Sequence, residues 1–249
     1  MVRTNTYLAP VALVLLAGSI VMLFFVILSA VNTTSPLGNT YFLSADTSDI
    51  TGARRVTQWA YFYICGEGNS DCSRAWPAPP LGWAWSRTPF NAPAVLVGSY
   101  GGATTSFYYY YMWRFGWVFY LIALVFSVIA FFAGFVACCG RLGSAIAGLA
   151  SFVALFFLTI AVSLMTAVFV RMRDAFLASG RNAEIGRYAF GFSWGSWTAL
   201  FLATILFCVG IRRDGSSRGN SRRWGRQRSV RSHRSYDLGG TRRVKDDYA

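Results

Sequence analysis

The clearest pattern in the chain is a set of four long uncharged stretches separated by polar segments. These stretches cover residues 9–31, 115–139, 142–170 and about 188–211. A bilayer core of about 30 Å is crossed by roughly 20 apolar residues in a helix that rises 1.5 Å per residue. Helices are favoured over an open sheet, because the edge of such a sheet would leave backbone groups unbonded in lipid. The pattern therefore predicts an all-α integral membrane protein built as a four-transmembrane-helix bundle.

The predicted boundaries divide the chain into nine segments. A cleaved signal peptide is the alternative for the first stretch, but its apolar part usually has only about 7–15 residues. The third stretch has 29 residues, which predicts a tilted helix or a terminal turn outside the bilayer. The segments are an N-terminus at 1–8, helices at 9–31, 114–139, 142–170 and 188–211, loops at 32–113 and 171–187, a turn at 140–141 and a tail at 212–249.

Charge is scarce but unevenly distributed, and its distribution predicts the orientation. Only 13% of the 249 residues are charged, against about 25% in soluble domains, yet the net charge is +13. The tail carries 12 of the 23 basic residues and four acidic ones. Because segments rich in Lys and Arg stay on the cytoplasmic side, the tail and, with four spans, the N-terminus are predicted to be cytoplasmic. The loop at 171–187 opposes this rule with a net charge of +2, which is smaller than that of the tail.

The long outer loop contains the most specific local motif. Residues 55–65 alternate β-branched and aromatic side chains, 66–71 are typical of a turn, and Cys72 follows. We predict a small β-hairpin closed by a disulfide between Cys65 and Cys72, since an outward-facing loop is in an oxidising environment. Closing so small a ring contributes roughly 2 to 3 kcal/mol in the entropic model. Two free thiols are the alternative.

A tryptophan- and proline-rich stretch, WPAPPLGWAW, follows at 76–85. Because its prolines cannot donate to a central strand, it predicts an ordered loop or a partner-facing surface. Tryptophans that rest on lipid headgroups are the alternative. Asn32, followed by two threonines, fits a glycosylation acceptor at the end of the first span.

Several stretches together resemble a known family. They are YFLSADT at 41–47, the segment 55–72 with both cysteines, FYLIAL at 119–124, LGS at 142–144, LMTA at 164–167 and AFGFSW at 189–194. In this arrangement the chain resembles the fungal plasma-membrane tetraspans of the eisosome, the suppressor-of-Rvs and PalI-like family, which are distantly claudin-like. The resemblance covers about residues 1–211.

The resemblance implies a multi-pass plasma-membrane protein without a catalytic site, acting as a structural component of furrow-like membrane domains. The family roles are membrane organisation, endocytosis and cell-wall integrity, with eisosomal or cortical proteins as partners. PalI-like relatives instead serve ambient-pH sensing and usually carry long tails. The tail of about 38 residues therefore favours the eisosomal branch.

Enzyme signatures are absent from the sequence. The single histidine is His233 and the single lysine is Lys245, both in the tail. A metal triad, a Ser-His dyad and a phosphate loop ending in Gly-Lys-Ser/Thr cannot be assembled, so we predict no enzyme activity, no cofactor and no metal site. The uncharged stretches also weigh against a pump or coupled transporter, which use ionisable groups inside the membrane. A channel is the less favoured third function.

Small residues recur at a spacing of four in two of the spans. That spacing places them on one helix face, where they let helices approach closely in lipid. The faces are predicted to pack, either inside the bundle or between molecules of a homo-oligomer. The residues are Gly191, Gly195, Ala199 and Ala203 in the fourth span, and Gly140, Ser144 and Gly148 at the start of the third.

Cysteines and arginines near the inner leaflet indicate lipid contacts. Cys138, Cys139 and Cys208 are candidates for palmitoylation, with small apolar fillers as the alternative. The Arg-, Ser- and Gly-rich tail predicts a disordered segment that attracts anionic lipids, inositol lipids included, at about 1 kcal/mol per charge. Phosphorylation of Ser221 or Ser229, each three residues after an arginine, would weaken this attraction. The arginines assigned to lipid are Arg212, Arg213, Arg222, Arg223, Arg226, Arg228, Arg231 and Arg234.

The tail has two alternative roles. Its charges alone are enough to set the topology, and in that case no lipid contact is needed. RNA binding by an Arg-Ser-Gly segment is disfavoured by the short distance to the bilayer, so nucleic acid is not an expected partner.

Overall fold

The computed structural model describes residues 5–137 and 141–228. Four of its helices are long and apolar enough to cross a membrane. Its elements are helices α1 (Asn5–Ile27), α2 (Tyr100–Ala103, one turn), α3 (Phe107–Ala137), α4 (Arg141–Ala178) and α5 (Arg187–Arg228), and strands β1 (Leu43–Asp46), β2 (Val56–Trp59), β3 (Ile64–Cys65) and β4 (Ala183–Ile185). The strands form one small antiparallel sheet. The predicted fold class is confirmed: a helical membrane bundle with a small disulfide-bonded β unit.

Buried side chains recur every three or four residues along the membrane helices, which is the spacing of a packed helix seam. α1 packs along α5 and α3 along α4, and contacts between α4 and α5 and between α1 and α3 close the bundle. Side chains on the opposite faces, such as Val14 and Phe132, are apolar and exposed, as a lipid-facing surface requires. The seam residues are Ala12, Leu16, Ser19, Leu23 and Val26 on α1, and Ala189, Ser193, Ser196, Leu200, Ala203 and Phe207 on α5.

Hydroxyl groups join the helices where lipid gives little hydrophobic drive for association. Ser19 Oγ on α1 donates to the Ser196 carbonyl oxygen at 2.9 Å, and Ser196 Oγ donates to the Ser19 carbonyl oxygen at 3.0 Å. A second contact joins α3 to α5, since the Tyr120 hydroxyl donates to Ser193 Oγ at 2.7 Å. These buried groups are therefore satisfied inside the bundle, as their desolvation demands.

The sheet joins the two loops on the same side of the bundle. Its strand order is β3-β2-β1-β4, with Leu43 of β1 opposite both Trp59 and Ile185. We call the segment 28–106 together with β4 the cap. At the junction of β4 and α5 only glycine fits, because a Cβ on Gly186 would overlap the Tyr41 carbonyl oxygen. The cap thus unites segments that lie far apart in the sequence.

The hairpin differs from the one predicted over 55–72. Residues 55–65 do not form one strand: β2 ends at Trp59, β3 begins at Ile64, and Ala60 N–H donates to the Tyr63 carbonyl oxygen across a turn. Tyr61 lies in that turn and is fully buried, because it leaves the sheet to pack against Trp117 of α3. The alternation of the sequence therefore predicted a strand where tertiary packing requires a turn.

The helices also end at residues other than the predicted ones. α3 begins at Phe107 rather than 114, and α4 continues to Ala178 rather than 170. At 1.5 Å per residue, the 38 residues of α4 extend about 57 Å, well beyond a core of about 30 Å. α5 continues to Arg228, so the described part of the predicted disordered tail, 212–228, is helical. Extending an existing helix needs no new nucleus, so α5 continues through Gly215, Gly219 and Gly225 although glycine is a poor helix former.

Candidate functional site

The predicted disulfide between Cys65 and Cys72 is present, with an S–S distance of 1.99 Å. Cys65 ends β3 and is fully buried beside Ala30 and Ala60, while Cys72 is partly buried. The bond closes the turn that follows β3 rather than the open end of the β2–β3 hairpin. It therefore fixes a small loop next to the end of α1.

Asn69 anchors this disulfide loop to the rest of the cap. Its backbone N–H donates to Gln58 Oε1 at 2.9 Å, and its side-chain amide donates to the Gly38 carbonyl oxygen at 2.7 Å. The residue is only 2% exposed and has φ of 53°, a left-handed conformation that Asn tolerates better than most residues. The loop is thus held to both β2 and the turn at Leu37–Asn39.

Hydrogen bonds from indole N–H groups to backbone carbonyls hold the 76–85 segment in place. Trp59 donates to the Leu81 carbonyl oxygen at 3.0 Å, Trp113 to that of Pro79 at 2.9 Å, and Trp85 to that of Thr104 at 3.2 Å. Each of these three indoles is at least 95% buried, where an unpaired donor would be costly. The ordered loop predicted for 76–85 is therefore observed.

Two other tryptophans of this segment remain about half exposed. Trp76 and Trp83 are each 46% exposed, and their ring centroids lie 5.7 Å apart. The Trp83 indole N–H donates to the Gly101 carbonyl oxygen at 2.9 Å. Their outer surfaces are the part of the segment that is open to lipid or a partner, the two alternatives that the sequence left.

Tyr61 links the cap to α3 through two reciprocal hydrogen bonds. The Tyr61 hydroxyl donates to the Trp117 carbonyl oxygen at 2.6 Å, and the Trp117 indole donates to the Tyr61 carbonyl oxygen at 3.2 Å. The two rings are stacked with centroids 5.3 Å apart. Burial raises the pKa of Tyr61 far above its usual value, so the phenol stays protonated and keeps its role as donor.

A polar groove of about 380 Å³ crosses the sheet. Side chains alternate between the two faces of a strand, and β1 buries Leu43 and Ala45 on the side of α4, so Ser44 and Asp46 are on the groove side. The polar lining consists of Tyr41, Ser44, Asp46, Arg55, Gln58, Glu67, Asn182 and Glu184.

The charges of the groove are of both signs. The Asp46 carboxylate accepts hydrogen bonds from Ser48 N–H at 3.1 Å and Ser48 Oγ at 2.8 Å, and these bonds hold its pKa below the usual value. Burial, aided by the nearby Glu184 carboxylate, raises the pKa of Tyr41. Among the described residues, no carboxylate of the lining forms a salt bridge, and no group of three metal-binding side chains occurs.

The predicted packing residues on the helices have different surroundings. Ala203 is fully buried in the seam of α5, Ala199 is partly buried, and a Cβ on Gly195 would lie 3.0 Å from Met22 Sδ of α1. Gly191 is exposed, and a Cβ there would meet nothing within 4 Å. On α4, Gly148 is buried, only the backbone of Ser144 is described, and Gly140 lies outside the described residues.

Those residues assigned to lipid that the structure describes lie at the end of the bundle opposite the cap. Cys208 is a free, exposed cysteine near the end of the span Arg187–Val209. For the tail arginines and Ser221 only the backbone is described, and as far as Arg228 it belongs to α5. Cys138, Cys139, Ser229, Arg231 and Arg234 lie outside the described residues.

Four apolar membrane helices, closed at one end by a disulfide-bonded sheet, define a four-span membrane protein with a folded cap. The sequence profile of the SUR7/PalI family matches residues 8–206, and the chain belongs to this family.

Relatives from two yeasts agree with this assignment. The chain is 33% identical over 203 residues to SUR7 family protein FMP45 of Saccharomyces cerevisiae, covering 76% of this chain and 64% of that protein. It is 31% identical over 196 residues to Protein SUR7 of Candida albicans, covering 78% of this chain and 71% of that protein. A third relative, at 30% identity over 200 residues, is named an uncharacterized plasma membrane protein of Saccharomyces cerevisiae. The match covers 76% of this chain and 62% of that protein. The chain thus spans about two-thirds of the length of these relatives.

Proposed function

We propose that this protein is a non-catalytic structural organiser of a plasma-membrane domain of the eisosome furrow type, with roles in membrane organisation, endocytosis and cell-wall integrity. The proposal is supported by membership of the SUR7/PalI family and by a relative named as a plasma membrane protein. It places the cap outside the cell and both termini in the cytoplasm. Eisosomal or cortical proteins are its partners.

The observation that carries the proposal is the chemistry of the described bundle interior. Charged residues within the four candidate spans are Arg114, Arg171, Arg173, Asp174 and Arg187, and all lie within about two turns of the cap. The remaining length is filled by apolar and small residues with a few serines. Ion and proton pathways use ionisable groups inside the membrane, so this interior favours a lateral architectural role over transport.

The experiment is live imaging of a fluorescent fusion at native expression in a fungal cell. We expect static patches that coincide with membrane furrows and recover little after photobleaching. A diffuse endomembrane signal would exclude the furrow-type function. The alternative, an accessory subunit of ambient-pH signalling, predicts instead that deleting the gene abolishes the response to alkaline pH.

Orientation is tested separately in intact cells. An impermeant protease added outside should cut a site inserted in the exposed loop around Ser48 and spare an epitope placed after Ala249. The reverse pattern would place the cap in the cytoplasm.

We further propose that the arginine-rich tail binds anionic lipids of the inner leaflet, inositol lipids included. The full chain in neutral nanodiscs should bind liposomes containing phosphatidylserine or a phosphoinositide, and 0.5 M salt should weaken the binding because Debye screening shortens the range of attraction. Replacing Arg222, Arg223, Arg226 and Arg228 by Gln should reduce binding. Equal binding by the substituted chain would mean that the tail arginines only set the membrane topology.

Palmitoylation and self-association complete the proposal. Cys208 is the described candidate for acylation, together with Cys138 and Cys139. Acyl-exchange labelling should detect modification in membranes, and a signal unchanged in the triple Cys→Ser variant would argue against it. A homo-oligomer should be visible as a mass above that of one 27.5 kDa chain in native mass spectrometry.

A further inference from the structure

The groove on the sheet has an architecture that the bundle does not need. β1 and β4 use one face for packing, and the row Gln58, Ser44, Glu184 crosses three strands on the other face. Polar residues alone are expected on the solvated side of an antiparallel sheet. On this sheet they also line a concave groove of about 380 Å³, which contact with solvent does not require.

The polar groups of the groove retain unused hydrogen-bonding capacity. Ser44 Oγ accepts a long hydrogen bond from Gln58 Nε2 at 3.4 Å and keeps its own proton for donation. Beside the groove, Arg181 has a buried Nη1 with no partner among the described residues, and its charge helps to lower the pKa of Asp46. Donors and acceptors are therefore both present and only partly satisfied.

The groove is lined by charges of both signs, and this limits the kind of ligand that it can bind. The lining includes the carboxylates of Asp46, Glu67 and Glu184 and the guanidinium of Arg55. An anion would be repelled by three carboxylates, and a small cation would lie near Arg55 without a cluster of three ligands around it. A neutral ligand whose groups donate and accept at the same time suits this lining best, and hydroxyl groups do both.

We propose that the groove binds a polyhydroxylated neutral ligand, namely one or two hexose units of a glycan. Carboxylates and the Asn182 amide accept from sugar hydroxyls, Arg55 and Ser44 donate to them, and Tyr41 contributes an aromatic surface. The volume lies at the lower end of the range of about 300–1,000 Å³ for small-molecule sites. The proposal does not depend on a role in membrane furrows.

The test is a titration of the purified full-length chain, in nanodiscs, with neutral tetrasaccharides. Laminaritetraose, cellotetraose, mannotetraose and chitotetraose differ in sugar or linkage and are probed by saturation-transfer NMR and calorimetry. We expect saturable binding of at least one of them, with little change between 0.1 and 0.5 M NaCl because the ligand is uncharged.

Two substitutions in the groove and one outside it decide the outcome. Glu184→Ala removes an exposed acceptor, and Ser44→Tyr fills the groove from the solvated face; each should weaken binding tenfold or more. Asp49→Ala removes an exposed carboxylate that does not line the groove, and binding should be unchanged. An unfolding midpoint close to that of the native chain, followed by tryptophan fluorescence, serves as the check on folding for all three variants.

Three results would overturn the proposal. The first is no saturable binding of any tetrasaccharide at millimolar concentration, and the second is equal binding by Glu184→Ala and Asp49→Ala. The third is selective, salt-sensitive binding of a tetra-lysine peptide by the native chain, which would identify the groove as an acidic peptide site. Each result is independent of where the protein is located in the cell.

Discussion

Substitution of Gly195 by Leu tests whether α1 and α5 approach at their observed distance. A Cβ at this position would lie 3.0 Å from Met22 Sδ and 3.8 Å from Met22 Cε, so the three further carbons of Leu would occupy space that α1 already fills. Overpacking of this kind costs about 1 to 3 kcal/mol. The serine pair of Ser19 and Ser196 is adjacent, and separating the helices would stretch it.

Gly191 offers a matched control on the same helix, one turn away. A Cβ there would meet nothing within 4 Å, and the residue is exposed. Replacing either glycine by Leu gains helix propensity of similar size, up to about 1 kcal/mol, so this contribution cancels in the comparison. We expect Gly195→Leu to be less stable than Gly191→Leu by about 1 to 3 kcal/mol. Gly195→Ala should lie close to the native chain, because the flexible end of Met22 can move.

The assay is thermal unfolding in detergent, followed by tryptophan fluorescence, with size-exclusion chromatography on each variant. At roughly 2–4 °C per kcal/mol for a chain of this size, Gly195→Leu should unfold several degrees below Gly191→Leu. Equal midpoints for the two Leu variants would refute the packing argument. A change of oligomer size in Gly191→Leu alone would show that this exposed glycine lies between molecules.

Three further predictions concern the cap. Replacing both Cys65 and Cys72 by Ser should lower the free energy of unfolding by roughly 2 to 3 kcal/mol in the entropic model; an unfolding midpoint unchanged by the substitution would contradict this estimate. Tyr61→Phe removes the hydrogen-bond donor to the Trp117 carbonyl and should lower the free energy of unfolding by about 1 kcal/mol. Tyr63→Phe should be nearly neutral in the same denaturation assay. Equal losses in the two variants would argue against the Tyr61 hydrogen bond. The pKa of Asp46 is lowered in the folded state, so its contribution to stability is present above its unfolded pKa of about 4 and is lost as the pH falls through the folded value. Asp46→Asn should therefore flatten the decline of the unfolding midpoint between about pH 5 and 2.5. An unchanged decline would count against a stabilising role of the Asp46 carboxylate.

The features that the sequence predicted are those encoded in contiguous residues. The membrane spans could be predicted because runs of about 20 uncharged, mostly apolar residues are rare outside membrane helices. The disulfide could be predicted because Cys65 and Cys72 are only seven residues apart in a loop that the charge distribution places on the oxidising side. In both cases the local sequence alone carries the signal.

The packed face of each span was harder to predict. In water a helix reveals its buried side by polar residues on the other side, but here the exposed faces are as apolar as the seam. Spacing of small residues suggested Gly191, Gly195, Ala199 and Ala203, whereas the fully buried residues run through Ser193, Ser196 and Leu200 to Ala203. The two serines were the better signal, since a hydroxyl in lipid needs a partner.

The groove could not have been found from local sequence. Its lining comes from 41–46, 55–58, 67 and 182–184, which become neighbours only when β4 joins β1. β4 has three residues, too few for a strand pattern, and it lies in a loop with no hydrophobic alternation. Pairing of this kind is a tertiary property that propensity does not specify.

The pairing of β1 with β4 also sets an order of events during biosynthesis. β1 is translated early, but its partner at Ala183–Ile185 follows roughly 140 residues later, after the third membrane helix. The disulfide joins residues so close in sequence that it can form while the ribosome is still synthesising the membrane helices. Until β4 arrives, the edge of β1 remains unpaired, and an open strand edge is a known hazard for aberrant association. A chain truncated before residue 183 would therefore leave the ribosome with the cap unfinished and the edge of β1 still unpaired.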